Sequence, residues 1–204
     1  MSFWYKILLA GILSIAVGVL LSLLSNKFND TGDSVYFQQL EKQRAAKDQY
    51  FRTSPDSPMP DSLKNSWLPL NYYQIDPSFR VDALVENLPQ PLPYSDELEI
   101  TARITFEIHG KKCVWMGLKP KLSQNNEILL AFQDGTSGKT TYGGGRFIDI
   151  SPKDAGFIID FNTAYLPYCA FNADYVCPLP PPENKTDIMI LAGERLPKSV
   201  PATH

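Results

Sequence analysis

Glu97–Ile108 reads ELEITARITFEI. Leu98, Ile100, Ala102, Ile104, Phe106 and Ile108 alternate with Thr101, Arg103, Thr105 and Glu107. A period of two marks a strand with one face on a core and the other in water. His109–Gly110 follows as a short turn into a second run, Lys112–Leu118, so the pair reads as a hairpin. Before it, Leu68–Tyr73 and Phe79–Leu84 flank an Asp76–Pro77 turn. After it come Ile128–Phe132, Arg146–Ile150, Phe157–Phe161 and Lys185–Leu191, about eight strands in all. Seventeen prolines and twelve glycines spread along 204 residues suit short strands joined by turns rather than a helical bundle. The fold class is mainly β, an antiparallel sandwich or partly closed barrel.

Ahead of the strands, SVYFQQLEKQRAAKDQYF (Ser34–Phe51) has helix-like spacing at Phe37, Leu40, Arg44 and Lys47. We expect one short amphipathic helix over Val35–Phe51, stopped by the three prolines of Thr53–Asp61. Further upstream, Ile7–Leu24 runs eighteen residues without a charge, roughly 27 Å as a helix and close to a bilayer's hydrocarbon core. Phe3, Trp4 and Tyr5 stand where an interfacial aromatic belt would lie, with Lys6 at the edge. The run reads as a signal anchor; a cleaved signal peptide is the other reading, for which it is long. The expected division is an anchor at 1–25, a linker at 26–34, a single β-rich domain at 35–195 and a tail at 196–204. A short N-terminal tail before a large domain favours an extracytoplasmic domain, placed at a bacterial inner membrane and facing the periplasm.

The charge balance excludes one class of partner. With a net charge of -3 and 20% charged residues, no basic face is available for phosphates, so no nucleic-acid partner is expected. Two histidines, His109 and His204, and no Cys-x-x-Cys leave no expectation of a metal or cofactor. Gly135–Arg146, GTSGKTTYGGGR, resembles the end of a phosphate-binding loop, but Gln133 replaces the first glycine and a β run follows instead of a helix. Arg146 enters a strand, where a buried guanidinium needs a carboxylate such as Asp134, Asp149, Asp160, Glu183 or Glu194. It reads either as a clamp on the C-terminal segment or as an anion-binding group.

The densest segment is Ile159–Asn184, IDFNTAYLPYCAFNADYVCPLPPPEN. It suits no regular helix, yet it is too aromatic to be a disordered tail. Cys169 and Cys177 can close a short loop as a disulfide, remain buried thiols, or act as a redox or metal pair. Cys113, inside a strand, reads as a small core residue. Tyr142, Tyr165, Tyr168 and Tyr175 suit a cleft facing a sugar or lipid, or plain packing beneath a Pro-rich loop.

FQDGTSGKTTYGGGRFIDI, IIDFNTAYLPYCAFNADYVCPLPPPEN and the late AGER together resemble the domain-of-unknown-function 1684 family of bacteria and archaea. Lys47–Met59 and Tyr72–Ala83 also resemble its pattern, so the likeness covers about Tyr36–Arg195. Many members look like Tyr-Asn-Pro where this chain has Tyr165-Leu166-Pro167. The resemblance supplies no catalytic or ligand residue to carry over.

These readings lead to a membrane-anchored domain that binds a small polar or anionic ligand or an envelope component. Its site would form where the Gly143–Arg146 turn meets the Asp160–Asn184 segment. The candidate ligand-binding residues are Arg146, Asp160, Asn162, Tyr165, Glu183 and Asn184. The rival is a hydrolase-type enzyme using two of Asp160, Glu183 and Glu194 as acid and base. A third reading is a structural partner of a membrane complex, contacting it through the anchor and the Val35–Phe51 helix.

Overall fold

The computed structural model describes residues 32–123, 127–151 and 157–197. The apolar run Ile7–Leu24 lies outside them, and among the described residues no helix is long and apolar enough to cross a membrane. The chain forms two compact units, Met1–Gln43 and Arg44–His204. Helix α1 covers 32–53, and its residues from Arg44 onward belong to the second unit, which carries everything described below.

Six strands make one antiparallel sheet in the order β6-β5-β4-β3-β2-β7. They are β2 (Arg80–Pro93), β3 (Leu98–Ile108), β4 (Lys111–Pro120), β5 (Ile128–Phe132), β6 (Arg146–Ile150) and β7 (Phe157–Asp160). The sheet curls until its edge strands β6 and β7 approach each other, a nearly closed barrel. A second, two-stranded sheet pairs β1 (Asn71–Tyr72) with β8 (Glu194–Arg195). At the centre stands the hairpin expected from the alternation: Ile108 pairs with Lys111, and the turn residues between them have φ of 49° at His109 and 76° at Gly110. Two positive φ values in a two-residue loop match the right-handed twist of the flanking strands.

Inside the curl, Ala102, Ile104, Phe106 and Ile108 of β3 meet Trp115 of β4 and Phe132 of β5. Trp115 stacks on Phe132 with centroids 5.3 Å apart and meets Phe106 edge-on at 4.8 Å. Cys113 packs in this same cluster.

The alternation of β3 does not keep one face throughout. Thr101 is an extra residue between the pairs Ile100↔Leu118 and Ala102↔Gly117. Such a bulge reverses which side the following side chains occupy. Leu98 and Ile100 therefore leave the inner core and join Leu118, Leu129, Ala131 and Phe147 in a cluster of their own. This cluster floors the site described below.

Three expectations about elements need correction. The expected strand Leu68–Tyr73 shortens to Asn71–Tyr72, and a helix, α2 (Asp61–Trp67), precedes it. That helix has no side-chain cap; Trp67 buries into a cluster with Phe51, Met59 and Phe171, so tertiary packing rather than local signals holds it. Phe79–Leu84 grows into fourteen residues despite Pro89, Pro91 and Pro93. The pairing with β3 is interrupted between Asn87 and Leu92, so Pro89 and Pro91 fall where no ladder bond is needed. Lys185–Leu191 is not a strand. Its backbone bonds to residues 133–135 through Thr186 N and the Ile188 carbonyl, and at Ile190 to the side chains of Asp134 and Arg146, without forming a regular ladder.

Candidate functional site

The candidate ligand-binding residues named from sequence are largely engaged inside the protein. Arg146 is 1% exposed. Its Nη2 donates to Asp134 Oδ2 at 2.8 Å and to the Ile190 carbonyl at 2.9 Å; its Nη1 donates to the carbonyls of Ala192 and Glu194. Burial pulls its pKa down, while the Asp134 carboxylate opposes that shift. Asp134 also accepts from Ile190 N at 3.0 Å and, through its other oxygen, from the Thr136 N–H and hydroxyl. The glycine-rich loop is thus a cradle for an ion pair that grips residues 190–194. Gly145 follows from that close packing: at φ +99°, a Cβ here would lie 2.4 Å from the Phe132 carbonyl oxygen.

Asn184 is fully buried and closes a gap in the sheet. β4 and β5 pair at Leu118↔Leu129. Further along, its carboxamide sits between them, accepting from Met116 N at 2.6 Å and donating to the Met116 and Ala131 carbonyls at 2.8 Å each. It stands in for ladder bonds the strands do not make. Asn162 does a similar job at Asp76, donating to its carbonyl and accepting from its N–H, both at 2.9 Å. Asp160 accepts from the Asn162 backbone and side chain and faces Arg80 at 3.5 Å. Glu183 is exposed. Glu194 is buried; it forms an ion pair with Lys47 and accepts from Leu166 N at 2.8 Å.

Tyr165 is different. Its N–H and carbonyl exchange 2.9 Å bonds with Phe147, so the chain at this point runs along the open edge of β6. That pairing fixes the ring edge-on to Phe147, at 6.0 Å, and aims the hydroxyl at Asp149. The hydroxyl lies 3.0 and 3.2 Å from the two carboxylate oxygens.

Around this pair lies a cleft of about 590 Å³. Its floor is the outer face of β5 and β6, with Leu129, Phe147 and Asp149. Tyr165, Tyr168, Tyr175, Val176 and Cys177 of the following segment also line it. Tyr168 and Tyr175 meet edge-on at 5.4 Å, both partly exposed at the rim. Lys47 reaches in from α1 with its ammonium 4.9 Å above the Tyr165 ring. Asp149 opens onto the cleft, but the walls remove enough water to raise its carboxyl above the usual aspartate range. The Tyr165 bond and Lys47 oppose the rise, and Glu127 adds to it. Burial and Asp149 together push the Tyr165 phenol up, so it stays protonated and donates.

Of the six candidate ligand residues, Tyr165 lines this cleft; Arg146, Asp160, Asn162, Glu183 and Asn184 do not. Three of the four tyrosines singled out in the sequence line it, while Tyr142 packs in the cluster around Phe51 and Trp67. Asp149 stood among the carboxylates of the C-terminal half in the sequence, but not among the candidate ligand-binding residues. Its signal was present: in Arg146–Ile150 it shares a face with Phe147, and an apolar ring on a nominally solvated face means that face is covered.

Cys169 and Cys177 come together as two thiols, with the Cys169 N–H donating to Cys177 Sγ at 3.2 Å. Burial, assisted by Cys177, pushes the Cys169 thiol up to about 12. Among the described residues no cluster of histidine, cysteine and carboxylates is arranged to hold a metal ion.

Fold and cleft together define a small curled antiparallel β domain with an aromatic cleft on the outside of its sheet. Residues 65–195 match the family described as "Protein of unknown function (DUF1684)", and the chain belongs to that family. It is similar to the solution NMR structure of the uncharacterized protein from gene locus rrnAC0354 of Haloarcula marismortui. That likeness has a TM-score of 0.67 and 30% identity, and covers 84% of this chain and 99% of the other. No curated protein matches the chain.

Proposed function

We propose that the domain is a binding module for a small organic molecule, seated in the cleft between the outer face of β5–β6 and the Tyr165–Cys177 segment. The observation that carries this reading is a ligand-sized, aromatic-walled cleft with an accessible carboxylate, Asp149, held at its floor by a tyrosine hydroxyl. Its volume lies in the range of about 300–1,000 Å³ usual for small-molecule sites. Asp149 anchors the polar part of the ligand, Tyr165 orients the carboxylate, and Tyr168 and Tyr175 cover the apolar part. A mixed small-molecule screen by thermal shift on the full chain tests it. Hits should raise the melting temperature of the wild type and lose most of that shift in Asp149→Asn and Tyr168→Ala. Hits that survive both substitutions would place the ligand elsewhere.

The Ile7–Leu24 run supports a second element of the proposal, a tether holding this module at a bacterial inner membrane with the domain on the periplasmic side. The full chain should stay with the membrane pellet after alkaline carbonate extraction, and added protease should reach the domain in spheroplasts but not in sealed inverted vesicles. Release into the carbonate supernatant would end the tether.

A further inference from the structure

We infer that the cleft takes an organic cation, an ammonium or guanidinium group carried on an apolar body. This rests on the cleft being the binding site. The groups facing Asp149 are Glu127 beside β5, Lys47 from α1 and the Tyr165 hydroxyl. Lys47 is ion-paired with buried Glu194, which offsets part of its charge, although its ammonium still acts on Asp149. Among the described residues no cation is paired with Asp149. Among the described lining residues two carboxylates, Asp149 and Glu127, stand against the single ammonium of Lys47, so the fixed charge there is negative and disfavours an entering anion. A polyhydroxylated ligand would need several polar partners, yet much of the lining is Leu129, Phe147, Val176, Pro120, Pro167 and Pro178. A cation on an apolar body meets all three features at once: the carboxylate, the rings and the apolar floor. The Tyr165 ring already carries the Lys47 ammonium on its face, and the Tyr168–Tyr175 pair offers further rings at the rim.

The pH dependence follows from the same geometry. The cation prefers the ionised carboxylate, and burial has raised Asp149, so affinity holds at neutral pH and falls as pH drops through that raised value.

Titration calorimetry on the full chain with benzylamine, benzyltrimethylammonium, benzyl alcohol, benzoate and methyl glucoside decides the matter. We expect at least one of the two cations to bind, more tightly than benzyl alcohol, and benzoate to bind weakest of the benzyl series. Asp149→Asn should weaken the cation by about 10- to 100-fold and flatten its pH profile. Benzyl alcohol, benzoate or the glucoside binding as tightly as the cations overturns the cation assignment while leaving the cleft reading intact, provided Tyr168→Ala weakens that ligand too. An Asp149→Asn variant that binds the cations unchanged overturns the assignment as well. If none of the five binds, the cation assignment falls, and a blank thermal-shift screen beside it removes the cleft reading too.

Discussion

Arg146→Ala should lower the melting temperature by about 6–20 °C, from a loss of about 3–5 kcal/mol in a domain of this size. The cause is what remains after truncation. Asp134 keeps a buried carboxylate without its cation, and the carbonyls of Ile190, Ala192 and Glu194 lose their donors together. Arg146→Lys should recover only part of the loss, because a single ammonium cannot reproduce the fork that spans Asp134 and residues 190–194. The double variant Arg146→Met with Asp134→Asn should be more stable than Arg146→Met alone, since the uncompensated charge is gone. Thermal and urea melts of the four proteins measure this. An unchanged midpoint in Arg146→Ala would show that the clamp contributes nothing.

Asn184→Leu should be nearly as damaging. Three buried backbone groups, the Met116 N–H and the carbonyls of Met116 and Ala131, lose their partner, at about 1–3 kcal/mol for each group left unsatisfied. The strands on either side cannot close the gap themselves without shifting the register fixed at Leu118↔Leu129. Hydrogen exchange gives a local readout that a melt does not: the Met116 amide should exchange faster than its neighbours in β4. Retained protection at Met116 would mean that water or a relaxed ladder replaces the carboxamide.

The parts of this fold legible in the sequence are those governed by neighbours along the chain. The β3–β4 hairpin follows from a clean period of two and a His-Gly turn that tolerates positive φ. The strands at Ile128–Phe132 and Arg146–Ile150 follow from compact apolar runs. What was not legible depends on partners distant in sequence. α2 exists because Trp67 finds Phe171, 5.3 Å away between ring centroids. The bulge at Thr101 sends Leu98 and Ile100 outward, and no alternation count can foresee which residue of a strand will be doubled. Lys185–Leu191 looks like a strand because it is apolar, but Asp134 and Arg146 supply bonds that a neighbouring strand would have made.

The site follows the same division. Aromatic residues in the Ile159–Asn184 segment were visible as raw material, and Tyr165 was singled out among them. The face shared by Phe147 and Asp149 hinted at the carboxylate, but that Tyr165 would meet it is decided by the pairing of Tyr165 with Phe147 across the edge of β6. Polar residues that looked equally available, such as Asn162 and Asn184, have every appearance of site residues in one dimension and turn out to hold backbone in three. Leu166 is 2% exposed and packs with Phe51 and Trp67, so a leucine suits the position in this chain.

The Asn184 carboxamide has a consequence for a chain still being made. Its partners, Met116 and Ala131, leave the ribosome long before it does, and the Arg146 clamp waits for residues 190–194. A nascent chain can assemble the β3–β4 hairpin and the Leu118↔Leu129 pairing early, but the stretch at Met116 and Ala131 has no bridging carboxamide until residue 184 emerges. A product terminated before residue 184 therefore leaves the Met116 and Ala131 backbone groups unbridged, a short gap in the sheet open to neighbouring chains.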